Sequence, residues 1–126
     1  MITKLTLSAV LTVALSSATW SSPGFAQDPV AVDPDHHKVE FENAHVRVLR
    51  IDFPPGAMSV MHQHPCGVVI GLEDSTLVFH MPDGSEREAP INAGEVRAVR
   101  PTTHQPENRS GKHAEVILVE LKDGGC

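Results

Sequence analysis

The chain has 126 residues, 21% of them charged, a formal net charge of −6 and no tyrosine. That length suffices for one domain. The acidic balance repels phosphate backbones and anionic lipid headgroups, which argues against nucleic acid or a membrane surface as partner.

Residues 1–26 read as a secretory signal peptide. Lys4 supplies a short positive start, residues 5–15 are apolar apart from small hydroxyl residues, and residues 16–26 are small and polar. The apolar run of about 11 residues is too short for a bilayer span, which needs roughly 20. Cleavage is placed after Ala26, with Gly24 and Ala26 at the two small positions; cleavage after Ala18, preceded by Ser16, is the second choice, and an uncleaved anchor is the alternative. No cysteine closely follows the run and no Arg-Arg pair precedes it, so the general secretion route is expected without a lipid anchor. The expectation is an exported protein, periplasmic or secreted, with no stable membrane insertion after cleavage. Removing residues 1–26 takes away Lys4 as the one charged side chain and moves the net charge from −6 to −7.

Residues 27–37, acidic and carrying Pro29 and Pro34, read as a flexible leader. From residue 38 to 122 the chain is a series of short apolar or alternating runs divided by turn residues. The runs are 38–41, 45–53, 59–64, 68–72, 76–81, 85–88, 95–100, 102–108 and 114–121. Pro54-Pro55-Gly56, Pro65-Cys66-Gly67, Pro82-Asp83-Gly84 and Asn92-Ala93-Gly94 are among the breaks. The polar run 85–88 reads as an edge strand. About eight to ten short strands, with no apolar repeat of 3.6 among them, predict an all-β sandwich or barrel. Within the last run, residues 116–121 serve either the core or a subunit interface, and residues 123–126 read as a flexible tail. An intramolecular Cys66–Cys126 bridge, an intermolecular bridge through Cys126 and two free thiols all fit.

Chemistry concentrates in the eight histidines. His62 and His64, at i and i+2 on one strand, point to the same face. Val60 shares that face, so both imidazoles are expected inside the barrel beside apolar neighbours. Each has a polar nitrogen to satisfy, and one metal ion satisfies both. His104 completes a set of three with coordination positions left open. Cys66 is a further candidate ligand if the strand continues past Pro65. His80 faces either inward, as an acid or base, or outward. His36, His37, His45 and His113 fall near turns or in the leader and are expected to be solvated, with a surface metal site at His36-His37 as an alternative.

These residues resemble the cupin superfamily. Gly56, His62 and His64 match its first motif in identity and spacing, and His104 and Asn108 match its second. The resemblance implies a double-stranded β-helix, the cupin jelly-roll barrel, and three ligands to a divalent metal. The carboxylate ligand of the first motif falls at Val68 or Val69, the glycine after it at Ser75 or Thr76, and the second-motif glycine at Pro101. The three-histidine set without carboxylate is similar in that respect to thiol dioxygenases. Three neutral imidazoles leave the metal dipositive, suited to oxygen chemistry at Fe or water activation at Zn, with Cu, Ni and Mn next in order. Two functions follow: a metal-dependent oxygenase acting on a small molecule, in which Arg47, Arg50, Arg97 or Arg100 holds a substrate carboxylate, or a non-catalytic metal- or ligand-binding cupin of the cell envelope. In the latter, Val68, Ile70, Leu77 and Phe79 fill the barrel. Cupins commonly pair through barrel edges, so a homodimer is expected.

Overall fold

The computed structural model describes residues 27–126; the signal-peptide reading of residues 1–26 lies outside them. One helical turn, α1 (Pro29–Val32), precedes nine strands: β1 (His37–Glu42), β2 (Val46–Phe53), β3 (His62–His64), β4 (Gly67–Gly71), β5 (Ser75–His80), β6 (Glu86–Ile91), β7 (Val96–Val99), β8 (Thr102–Glu107) and β9 (Ala114–Leu121). They form two antiparallel sheets, ordered β1-β2-β9-β4-β7 and β3-β8-β5-β6. The expected all-β jelly-roll architecture is present.

Alternation along β2 and β9 builds the core. Leu49, Ile51 and Phe53 are buried on one face of β2, and their register partners Leu118, Val116 and Ala114 meet them from β9. Side chains two apart share a face, so this one pairing stacks six apolar residues between the sheets. β9 lies between β2 and β4, and its Ala114, Val116 and Leu118 belong to the core. Pro54-Pro55-Gly56 closes a tight turn, with the Ala57 N–H donating to the Pro54 carbonyl at 3.0 Å and Gly56 at φ +80°, a conformation that favours glycine. β6 and β7 are the terminal strands of their sheets and leave the barrel open between them.

Residues 27–37 depart from the expected loose leader. Asp28 caps α1 by accepting the Val30 N–H at 2.8 Å, Pro29 sits in the first turn and is buried, and Asp33 is buried. Asp33 accepts a hydrogen bond from the Ser59 hydroxyl and lies 2.8 Å from His36 Nδ1. Polar contacts together with the burial of Pro29 and the packing of Val30 on the core hold this segment to the barrel, and its acidic, proline-bearing composition reads as unfolded because the apolar share is small. At the other end Cys126 is bonded to Cys66, with Cα atoms 5.5 Å apart, so the final four residues are tied down rather than loose. The bridge removes Cys66 from the candidate ligands, since a disulfide sulfur is no thiolate.

Candidate metal centre

Strand pairing brings the three sequence-predicted histidines together. β3 and β8 run antiparallel with His62 directly opposite His104, and His64 is two residues on, on the same face. Ring centroids are 4.8 Å apart for His62–His64, 5.1 Å for His62–His104 and 5.4 Å for His64–His104. All three are buried. β3 is shorter than expected: it begins at His62, Val60 is exposed, and Ser59 is the residue buried beneath the histidines.

A fourth imidazole joins them. His37, expected in solvent, is 1% exposed at the start of β1 and lies edge-on to His62 with centroids 4.7 Å apart. The packed α1 segment turns it inward, its ring also set edge-on against Phe53. Its neighbour His36 stacks on the same Phe53 ring at 4.8 Å. No carboxylate stands at Val68 or Val69; His37 approaches the pair His62–His64 instead.

The hydrogen bonds sort the ring nitrogens into two kinds. His64 Nδ1 donates to Glu120 Oε1 at 2.7 Å, His62 Nδ1 to the Val60 carbonyl at 2.8 Å, and His37 Nδ1 to the Asp33 carbonyl at 3.2 Å. Each acceptor is an oxygen with no proton to give, so each ring in its neutral form keeps its proton on Nδ1 and presents a lone pair at Nε2. The Nε2 atoms of His62 and His64 face one another at 3.0 Å. His37 Nε2 and both ring nitrogens of His104 are buried with no partner. One ligand atom from each of His37, His62 and His64 lies within 4.8 Å of the other two. Burial, more than any neighbour, pushes His37 and His62 down to about 4 and His104 to about 2. These rings are therefore neutral at physiological pH, the form that coordinates metals. Converging lone pairs without protons, anchored from behind by oxygen acceptors, are what a divalent ion with nitrogen ligands requires, and the residues present fit one.

Glu120 is an acid on the inward face of β9, two residues from Leu118, and is 2% exposed. Burial raises its pKa, but the hydrogen bonds from His64 and Arg47 outweigh that and hold it below the usual carboxylate range. Arg47 stands opposite it in the β2–β9 register, donates Nε–H to it at 2.7 Å and reaches Asp28 with its other arm at 2.7 Å. Glu120 and His37 are the site residues that the sequence reading misses. Run 114–121 carries two acids, and Glu120 is the one at the same parity as Ala114, Val116 and Leu118, which is a signal for the first; nothing in the spacing marks the second. Asn108 plays a structural part: its amide donates to the carbonyls of Phe53 at 2.7 Å and Lys112 at 2.6 Å.

The remaining histidines lie elsewhere. His80 turns outward to Glu107 at 2.7 Å and Glu86 at 3.3 Å. His45 is exposed beside Asp123. His113 lies between Asp52 and Glu73, and with Glu73 and Glu115 forms a second, half-buried group of potential ligands.

A cavity of about 570 Å³ reaches the histidines from between β6 and β7. His37, His64 and His104 lie at its buried end, Val69, Leu77 and Leu118 line its walls, and Arg87, Arg97 and Arg100 stand at the exposed end. Leu77 and Phe79 thus face a cavity rather than filling the barrel.

Among solved structures, the chain matches a cupin-domain protein from Bordetella pertussis with a TM-score of 0.63, at 24% identity over 68% of this chain and 91% of that one. The described residues have the cupin fold. A double-stranded β-helix protein from Klebsiella pneumoniae matches at TM-score 0.54 and 19% identity, over 71% of this cupin and 78% of that chain. In sequence, this cupin is 35% identical over 85 residues to the beta-alanine degradation protein BauB of Pseudomonas aeruginosa, a match spanning 67% of this chain and 87% of that protein, and it belongs to the same family. No protein-family model matches it.

Proposed function

We propose that this cupin binds one divalent metal ion through His37, His62, His64 and His104 and uses it on a small molecule admitted by the cavity. The observation that carries the reading is the pair of facing Nε2 atoms at 3.0 Å, each ring anchored through Nδ1, with the unpartnered nitrogens of His37 and His104 beside them. A metal held by neutral imidazoles supplies a Lewis acid or an oxygen-reactive centre, Fe and Zn being the first candidates. The protein's own residues do the rest. Glu120 and the Val60 and Asp33 carbonyls fix ring orientation and tautomer. The apolar walls hold substrate and exclude water. The name of the Pseudomonas relative, a degradation protein, supports a catabolic role on a small molecule. An oxygenase-type reaction is the leading reading.

The alternative is a cupin that holds metal or ligand without turnover. It is favoured by one observation: His80, the acid or base candidate outside the cluster, faces Glu86 and Glu107 on the outside. Export belongs to the proposal too, supported by a disulfide of the kind that persists in oxidising compartments. Elemental analysis of the purified protein tests the core of the reading. About one equivalent of metal in the wild type, absent from a folded His62→Ala/His64→Ala variant, is expected. Metal retained in that variant refutes the assignment.

A further inference from the structure

All six arginines of this chain lie among the described residues. Four are paired: Arg47 with Asp28 and Glu120, Arg50 with Glu40 and Glu115, Arg97 with Glu95, and Arg109 with Glu86 and Glu107. Arg87 and Arg100 stand in no ion pair among the described residues, and both line the cavity. They approach it from different sheets, Arg87 on β6 and Arg100 just past the end of β7. Arg87 is drawn over the cavity wall: its guanidinium lies 5.8 Å from the Phe79 ring centroid, and that ring lies 4.2 Å from His104. A single aromatic ring therefore separates an unneutralised guanidinium from the histidine cluster. Glu88 is the one carboxylate among the lining residues, and Arg97 is neutralised by Glu95, so the rim stays positive on a chain whose net charge is −6. A positive mouth on an acidic protein draws anions to that mouth and repels them elsewhere.

We propose that the cavity selects small molecules with a carboxylate head and an apolar body, the head held by Arg87 and Arg100 at the mouth. The body lies between the walls of Val69, Leu77 and Leu118 and carries its far end to the histidines. Guanidinium groups suit this work because their forked N–H donors match the two oxygens of a carboxylate. The inference rests on the reading of the cavity as the substrate pocket, and its test separates the two.

The probes are hexanoate and its uncharged counterpart hexanamide, titrated into the full protein and followed by amide NMR shifts. Three proteins are compared, metal-loaded wild type, metal-stripped wild type and the Arg87→Gln/Arg100→Gln variant, with the variant's metal content as control. Hexanoate is expected to bind at least about tenfold more tightly than hexanamide to both wild-type forms. The preference should vanish in the double variant while its metal content and NMR dispersion stay unchanged. Equal binding of the two probes, no binding of either, or a preference that survives in the double variant overturns the proposal. A preference lost on stripping the metal but kept without the arginines also overturns it, because the metal is then the carboxylate's partner. A wild type that takes up no metal even after reconstitution, yet keeps a hexanoate preference that depends on the two arginines, refutes the metal reading and leaves this one standing.

Discussion

Replacing Glu120 by Gln isolates the support behind the histidine cluster. The carboxylate is buried and accepts two charge-assisted bonds at 2.7 Å, one from His64 Nδ1 and one from Arg47 Nε. An amide of the same shape has one acceptor oxygen, so either His64 or Arg47 must face an NH₂ group. Breaking a buried ion pair by removing one partner costs about 3–5 kcal/mol. Arg47 keeps Asp28 at 2.7 Å, which places the expected loss at about 3 kcal/mol, the low end of that range. Loss of the acceptor behind a ligating imidazole costs about 10–100-fold in metal affinity, or about 1.4–2.7 kcal/mol. Urea unfolding of the chelator-treated protein reads the first quantity, and competition with a chromophoric chelator reads the second. Arg47→Met serves as control: it destabilises the fold but leaves the His64–Glu120 bond, so its metal affinity should fall by less than about threefold. A Glu120→Gln protein that binds metal within twofold of the wild type would refute the orienting role.

The metal-free protein should lose stability on mild acidification. His37 and His62 titrate near 4 and His104 near 2 when folded, against an ordinary 6.5, so protons bind the unfolded chain first as pH falls below 6.5. The loss per group approaches about 1.4 kcal/mol per pH unit below 6.5, and three acting together remove about 5 kcal/mol between pH 6.5 and 5; an unchanged urea midpoint over this interval contradicts a neutral cluster. The Cys66–Cys126 bridge spans a sequence separation of 60. Reducing it, or making Cys66→Ala, should lower stability by about 4 kcal/mol on the chain-entropy estimate, and a loss under 1 kcal/mol would show that the bridge constrains little.

The fold was legible because its signals are local. Turn residues and period-two alternation mark the strands, and Leu49, Ile51 and Phe53 announce the core face of β2. His62, His64 and His104 were legible through same-face spacing and the match to two cupin motifs. What the sequence hid depends on tertiary path. His37 sits in a polar stretch whose burial comes from Asp28, Asp33 and Ser59 contacts and from Pro29 and Val30 packing, with too few apolar residues to form a pattern. Val60 looked inward because the strand was extended backward from His62, whereas the chain turns there and buries Ser59. The cysteine pairing follows from β9 lying beside β4, where the Leu121 N–H donates to the Cys66 carbonyl at 2.8 Å and brings the C-terminus to its partner. The orientation of His80 was open because both faces of β5 carry apolar residues; Glu86 and Glu107 outside decide it.

The central claim is that buried imidazole nitrogens hold a metal, and anomalous diffraction from crystals of the metal-loaded protein tests it most directly. The account predicts one strong peak at the metal's absorption edge, within bonding distance of ring nitrogens of His37, His62, His64 and His104. No peak at the cluster, or a peak at Glu73, His113 and Glu115 alone, contradicts it.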